Sequence, residues 1–481
     1  MDRVGNLDVI RLLPGCSGRS KKLNNSLNVF SRPRTISFRR CSGSSCSVGI
    51  TEDPLIAEIK GDEYLEGYWL ERHSLVTLAQ TLGLANANAL PAADLGAVQR
   101  VRLLTQVYSA QVDRAATHGC LSYLQDVVFP LIEPLAQMEW RGAKLDRDGL
   151  AELASRLRKS LSVQVLENKS DRVLLDYANR LLDVADKNDS VHPVWRQLGT
   201  RTGRITARVV PSVHRKLRRY ITSPDGNGQF SIDIKSAEFL IAALLSGDVE
   251  LLRVCSDEDF YISLGASVFP DMFDANDLSA LRDGSADIPM IKAKYKDVRD
   301  SVFKKMALGM LYGQSARTAS SETDLRVTHV ELIQRRFKKK FHVLHAFLDR
   351  EVERGCTDRE IHLANGLRIN LKGLDRMVAR CRNNLVQGTC SDLFTRILLD
   401  CLRMAGRFDA QVLFALHDGL LVQAPIDQMI ECADYFQQLF VREFQRQFPE
   451  SPIRSDWFTI TINAATTGTT TSPPAPERIK V

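Results

Sequence analysis

With 481 residues, 44% of them hydrophobic, the chain is long enough for two or three domains with substantial cores. Its formal charge of +6 is mildly basic, which permits a nucleic-acid partner without requiring one. The longest apolar run, 239–245, is far short of the roughly 20 residues of a membrane span, and the ten cysteines lack the close spacing of a zinc site or a disulfide-stapled domain. A membrane-embedded or disulfide-scaffolded protein is therefore not expected, and the thiols read as reduced and buried.

In chain order, residues 1–50 are rich in Ser, Arg, Lys and Asn, with Asp2 and Asp8 as their only acids. Such a segment is expected to form a basic disordered arm, and its composition equally describes an organellar transit peptide. From Leu75 to Ala115 apolar residues recur at helical spacing, including Leu75, Leu78, Leu82, Val98, Val101, Leu104 and Val107, which predicts a small helical domain over 51–118. The helical pattern continues over 121–161 around a break at 141–146, where Gly142 and Asp146 fit a turn and a helix cap.

After Val191 short β-type runs alternate with long helices. Residues 229–234 read as a strand leaving a turn at Pro224-Asp225-Gly226, and a helix over 237–245 follows at once. Residues 298–312 read as one helix, interrupted by Gly309 and ended near Gly313. Residues 412–416 and 420–422 read as a hairpin with Asp418-Gly419 at its turn. The tail from Thr466, with its Thr run and Pro473-Pro474, is expected to be disordered.

Two aspartates in this pattern stand where rigid sheet meets its own edge. Asp233 ends a strand between Ile232 and Ile234, and Asp418 sits at the tip of an apolar hairpin. Side by side, two such strands would hold a pair of divalent ions about 3.5–4 Å apart, the arrangement that serves in-line phosphoryl transfer. Magnesium suits hard carboxylate oxygens, with manganese as a substitute. Taken singly, Asp-Gly in a hairpin is an ordinary turn signal. Between Arg201 and Tyr220 the chain carries Arg201, Arg204, Arg208, Arg215, Lys216, Arg218 and Arg219 and no acid, the footprint of a surface that neutralises a phosphate backbone. Lys304, Leu308 and Tyr312 are four apart and share one helix face.

The segment Asp233-Ile-Lys-Ser-Ala-Glu238-Phe-Leu, running into Ser246-Gly247-Asp248, resembles the first polymerase motif of family A DNA polymerases. Lys304-Lys-Met-Ala-Leu308-Gly-Met-Leu-Tyr312-Gly313 is similar to the fingers helix of that family, and Leu416-His417-Asp418-Gly419 to its third motif. Thr202-Gly203-Arg204-Ile205-Thr206, Asn383-Asn-Leu-Val-Gln387-Gly388-Thr389, and Phe129-Pro130-Leu131 through Met138-Glu139 to Asp146 match further signatures in the family's order.

The resemblance implies an α/β (α+β) right-hand polymerase of the bacterial polymerase I-like type, of phage or mobile-element kind. Its expected parts are a shortened helical thumb over 119–190, an antiparallel palm sheet over 191–255 and 356–465, and helical fingers over 256–355. It implies template-directed addition of deoxynucleotides to a primer 3′-hydroxyl, with Asp233 and Asp418 holding two magnesium ions. Lys304 and Arg299 would face the triphosphate, Leu308 and Tyr312 the sugar and base, and His417 the primer terminus. Glu238 would exclude a ribose 2′-hydroxyl, while Arg204, Arg208, Asn383 and Gln387 would contact duplex DNA. Implied partners are primer-template DNA, deoxynucleoside triphosphates and a processivity or replication factor. The expected location is the cytoplasm of a bacterial or phage-infected cell, or an organelle if residues 1–50 are a transit peptide.

Several positions depart from the pattern. Gly419 follows Asp418 where the family usually has Glu, and Leu308 stands where it often has an aromatic residue. Asp300 replaces the Arg four residues before Lys304, with Arg299 one position away, and one residue rotates a helical side chain by about 100°. No Asp-x-Glu pair precedes residue 120, so a 3′ to 5′ proofreading nuclease is not expected. A degenerate polymerase serving as a DNA-binding replication accessory, or a single-subunit RNA polymerase, are the alternatives.

Overall fold

A computed structural model describes residues 97–163, 169–207, 215–371, 376–416, 418–449 and 458–463. The arm over 1–50, the helical spacing from Leu75 to Leu82 and the tail from Thr466 lie outside the described residues.

Helix α1 (Ala97–His118) leads into α2 (121–141), in which Leu124–Val128 is a π-turn. The break after Arg141 is a three-residue strand, β1 (Ala143–Leu145), and not merely a turn; it lies between β2 (Ser190–Val191) and β5 (Ile221–Thr222). Between β1 and β2 run α3 (Arg147–Val163) and α4 (Lys169–Val184), packed on each other. The Asp146 carboxylate accepts the Gly149 N–H at 2.9 Å at the start of α3, the cap that the sequence predicts. β3 (Trp195–Arg196) pairs with β4 (Thr206–Ala207), and a 3₁₀ turn, Arg215–Tyr220, precedes β5.

β6 (Asn227–Ile234) is the spine of a four-stranded antiparallel sheet. It runs into α5 (Ala237–Ser246), followed by α6 (Val249–Cys255), α7 (Phe260–Val268), α8 (Ala275–Asp283) and α9 (Ile288–Lys294). Helix α10 spans 296–311, with a π-helical segment at Arg299–Phe303, and α11 (Ala316–Thr323), α12 (Val327–Lys340) and α13 (His342–Asp358) complete the helical insertion. A two-stranded ribbon, β7 (Glu360–His362) with β8 (Arg368–Asn370), leads to the 29-residue α14 (Met377–Ala405). β9 (Gln411–Leu416), β10 (Gly419–Pro425), α15 (Met429–Gln447) and β11 (Phe458–Asn463) return the chain to the sheet, in the order β11-β6-β10-β9.

The antiparallel sheet and its hairpin thus appear as the apolar alternation predicts. Phe230 of β6 meets Phe436 of α15 edge to face at 6.0 Å, and Ile232, Leu420, Leu421 and Phe414 are fully buried. α14 packs on α5, α15 and β9, so one face of the sheet is closed by helices. Asp248 ties the two halves together, capping α6 through the Leu251 N–H (3.0 Å) and accepting the Leu344 N–H of α13 (2.9 Å). The described cysteines are free thiols, nearly all buried. No described helix is long and apolar enough to cross a membrane.

Candidate active site

Asp233 lies one residue from the end of β6, where it is paired with Gly419 of β10 and Thr459 of β11. Its neighbours Ile232 and Ile234 point into the core, so the alternation of a strand turns Asp233 to the other face. Asp418 occupies the tight β9–β10 turn; its N–H donates to the Leu416 carbonyl at 2.6 Å, and its own carbonyl accepts from the Ile234 N–H at 3.3 Å. The end of β6 and the β9–β10 turn are thus bonded side by side, one carrying each aspartate. Burial, and next the charge of Asp233, push the Asp418 carboxyl up to about 6. A cation placed between the two groups would relieve that repulsion. Arg218 supplies one positive charge, its Nη1 lying 3.8 Å from Asp233 Oδ2.

Gly419 leaves room that Asp233 uses: a β-carbon at 419 would stand 2.1 Å from Asp233 Oδ1 and 2.6 Å from the Ile232 carbonyl oxygen. Among the described residues no three His, Cys, Asp or Glu side chains gather into a metal cage.

Two residues beyond β6, Ser236 takes the left-handed conformation (φ 46°), an uncommon one for a residue with a side chain. The turn drops the chain directly into α5 and puts Glu238 in that helix's first turn. Glu238 is a meeting point. Its Oε1 accepts from Arg204 Nη2 at 3.2 Å and from Gln387 Nε2 of α14 at 2.9 Å. The Tyr312 phenol at the end of α10 is raised by burial and then by the charge of Glu238, so it too faces this carboxylate. Four residues singled out from sequence, drawn from segments far apart in the chain, converge here.

The helix carrying Lys304 holds the main surprise. Arg299–Phe303 forms a π-turn, closed by an N–H of Lys304 that reaches the carbonyl of Arg299 five residues back. Five residues at α-helical rotation would put Arg299 about 140° from Lys304, whereas the extra residue taken up by a π-turn returns it to within about 40°, as a four-residue spacing would. The offset in sequence is thus cancelled in the helix.

Arg299 is held bidentate by Asp259, Nε to Oδ1 and Nη2 to Oδ2, both at 2.9 Å, and Lys292 reaches the same Oδ2 at 2.6 Å. Burial would raise the Asp259 carboxyl, but its bonds to Arg299 and Lys292 outweigh burial and hold it below its ordinary value. Oδ1 of Asp259 also caps α7 through the N–H groups of Tyr261 (3.1 Å) and Ile262 (3.2 Å). The Arg299 guanidinium carbon lies 5.2 Å from the Tyr261 ring centroid. Burial, followed by Glu238, pushes the Tyr261 phenol up to about 12, with Asp418 adding to it. Tyr261 thereby joins Arg299 to the carboxylate cluster.

Lys304 is exposed and makes no ion pair among the described residues, and Leu308 and Asn383 are partly buried. Arg208 and His417, also singled out from sequence, lie outside the described residues. Asp259, Tyr261 and Lys292 escaped sequence reasoning because they sit in an apolar helical run and an ordinary polar helix. Arg218 carried a signal, the acid-free basic run, but nothing separated it from its neighbours there.

Residues 101–451 match the model of DNA polymerase family A. The chain is 24% identical over 310 residues to a thermostable DNA polymerase I of Thermus filiformis, covering 60% of this chain and 35% of that protein. It is 23% identical over 345 residues to DNA polymerase I of Treponema pallidum, covering 67% and 33%. Against a DNA polymerase of Mycobacterium phage D29 the identity is 24% over 266 residues, covering 52% and 39%. The chain therefore spans well under half the length of these relatives. Its fold is similar to that of the polymerase domain of Pol1 from M. smegmatis, solved with DNA primer-template and dNTP, with a TM-score of 0.61 at 16% identity over 82% of each chain.

Proposed function

This chain belongs to DNA polymerase family A, and from that membership we propose that it is a DNA-directed DNA polymerase, adding deoxynucleotides to a primer 3′-hydroxyl on a DNA template. The observation that carries the reading is the placing of Asp233, near the end of β6, beside Asp418 in the β9–β10 turn, together with a π-turn that restores a four-residue register between Arg299 and Lys304. In this reading the thumb is 119–190, the palm 191–255 and 356–465, and the fingers 256–355.

The donor set fits magnesium: two hard carboxylates, one of them raised by burial and then by the charge of the other. When bound, two such ions would lower the pKa of the primer hydroxyl and stabilise the leaving oxygen of the α-phosphate. The chain's own residues do the rest. Asp233 and Asp418 fix the reaction at the sheet edge. Lys304 and Arg299 neutralise the β- and γ-phosphates and the departing pyrophosphate. Leu308 and Tyr312 pack against sugar and base, and Glu238, clamped by Arg204 and Gln387, fills the space of a ribose 2′-hydroxyl. Arg204, Asn383 and Gln387 reach minor-groove acceptors present in every base pair, so pairing is sensed without reading sequence. Arg208 serves the DNA backbone and His417 the primer terminus. No proofreading nuclease is assigned to the residues before 120, and a replication partner would compensate for the short thumb.

Primer extension in magnesium, run beside Asp418→Asn, tests the proposal. Templated extension that the variant lacks is expected. Primer-template binding without extension in magnesium or manganese would instead favour an accessory role, and preferred ribonucleotide incorporation an RNA polymerase.

A further inference from the structure

Asp300 stands where a phosphate-repelling acid is least expected. Arg299 spends two of its guanidinium nitrogens on Asp259, whose side chain is 4% exposed, and this edge of the fork is a fixed, desolvated attachment. The remaining nitrogen, Nη1, turns to the outside, where Asp300 Oδ1 accepts from it at 2.8 Å. Asp300 is 55% exposed at the side chain, so that second contact is a solvated one. One guanidinium thus has a permanent partner and a displaceable partner. The displaceable one is an anionic carboxylate oxygen, which another oxyanion could replace at Nη1.

We propose that Asp300 is an internal competitor for the triphosphate. It occupies the outward corner of Arg299 while no nucleotide is bound, and it sets nucleotide affinity by having to be displaced. Asp259 is the positioning residue: it holds Arg299 in place throughout, and Lys292 keeps Asp259 neutralised when Asp300 leaves. The inference rests on the polymerase reading for the identity of the ligand, but its physical content is the exchange of one oxyanion for another at Nη1.

Asp300→Asn removes the competitor's charge at an exposed position where folding is not at stake. Two readouts follow it in the full chain: the KM for deoxynucleotide in primer extension, and calorimetric binding of inorganic tripolyphosphate without DNA or metal. The gain should match the release of an exposed ion pair, about two- to fivefold tighter in both, with kcat little changed. In an Arg299→Ala background Asp300→Asn should give no gain, because the competitor acts through that guanidinium. Equal gains with and without Arg299 would reduce the effect to general electrostatics and overturn the proposal, as would no gain at all. Absence of extension in every variant, with the tripolyphosphate pattern intact, would sink the polymerase reading while supporting this one. Extension with unchanged affinities would do the reverse.

Discussion

Gly419→Ala probes whether the missing side chain beside Asp418 is a simple loss or a space the site now uses. The alanine β-carbon would fall 2.1 Å from Asp233 Oδ1, 2.8 Å from its Cγ and 2.6 Å from the Ile232 carbonyl oxygen. A carboxylate can swing away. The Ile232 carbonyl cannot, since β6 is paired on both sides, with β10 and with β11. The strand must shift as well, at the cost of overpacking, about 1–3 kcal/mol. The swing displaces the Asp233 carboxylate from its place, and misplacing a reacting group by about 1 Å lowers rates on the order of 100-fold. Expected results are a lower melting temperature, weaker manganese binding by paramagnetic resonance, and extension reduced by one to two orders of magnitude, about 10- to 100-fold. Full activity with unaltered melting and metal binding would refute the claim that Asp233 depends on this space.

Deleting Ser301 should convert the π-turn to regular α-helix and leave Arg299 four residues before Lys304; nucleotide KM is expected to stay within about threefold, whereas inserting Ala after Phe303 rotates Arg299 by about 100° and should raise it at least tenfold. Equal damage from both changes would show that the bulge does not set the register. Glu139, 5% exposed and bonded to the Trp195 N–H at 2.6 Å, has its carboxyl raised by burial from 4.5 to about 8. The folded state then keeps a proton that the unfolded chain releases above pH 4.5, so stability is fully present at low pH and declines as pH rises toward 8. Between pH 5 and 7.5 the loss is on the order of 3 kcal/mol. Glu139→Gln keeps an acceptor for Trp195 and should melt with a flatter pH dependence than the parent; parallel melting profiles would contradict this.

Much of the fold was legible because its signals are local. β6, α5 and the β9–β10 hairpin follow from apolar alternation, a Pro-Asp-Gly turn and an Asp-Gly turn, and each lies within a few residues of its predicted place. What escaped depends on distant partners. β1 hides in a six-residue break because a three-residue strand has no periodicity of its own and exists only by pairing with Ser190–Val191 and Ile221–Thr222. Asp259 caps α7, a local role; that it also anchors Arg299, forty residues on, shows only in three dimensions.

The π-turn matters most for choosing between an active polymerase and a worn one. From sequence, Asp300 in place of an arginine counted toward degeneration, because a register slip of one residue would turn Arg299 away from Lys304. The i to i+5 bond removes that objection, since the extra residue is absorbed within the turn that needs it. Similarly, Gly419 looked like a lost carboxylate, yet the space it leaves holds part of Asp233. Random decay would alter residues independently. Here the register slip at Asp300 is absorbed by a π-turn and the space at Gly419 is taken by Asp233, and Arg204, Tyr312 and Gln387 still gather on Glu238. Desolvating so many polar groups around one carboxylate carries a cost that a passive DNA-binding surface has no evident need to bear, and for that reason the accessory alternative is the weaker of the two.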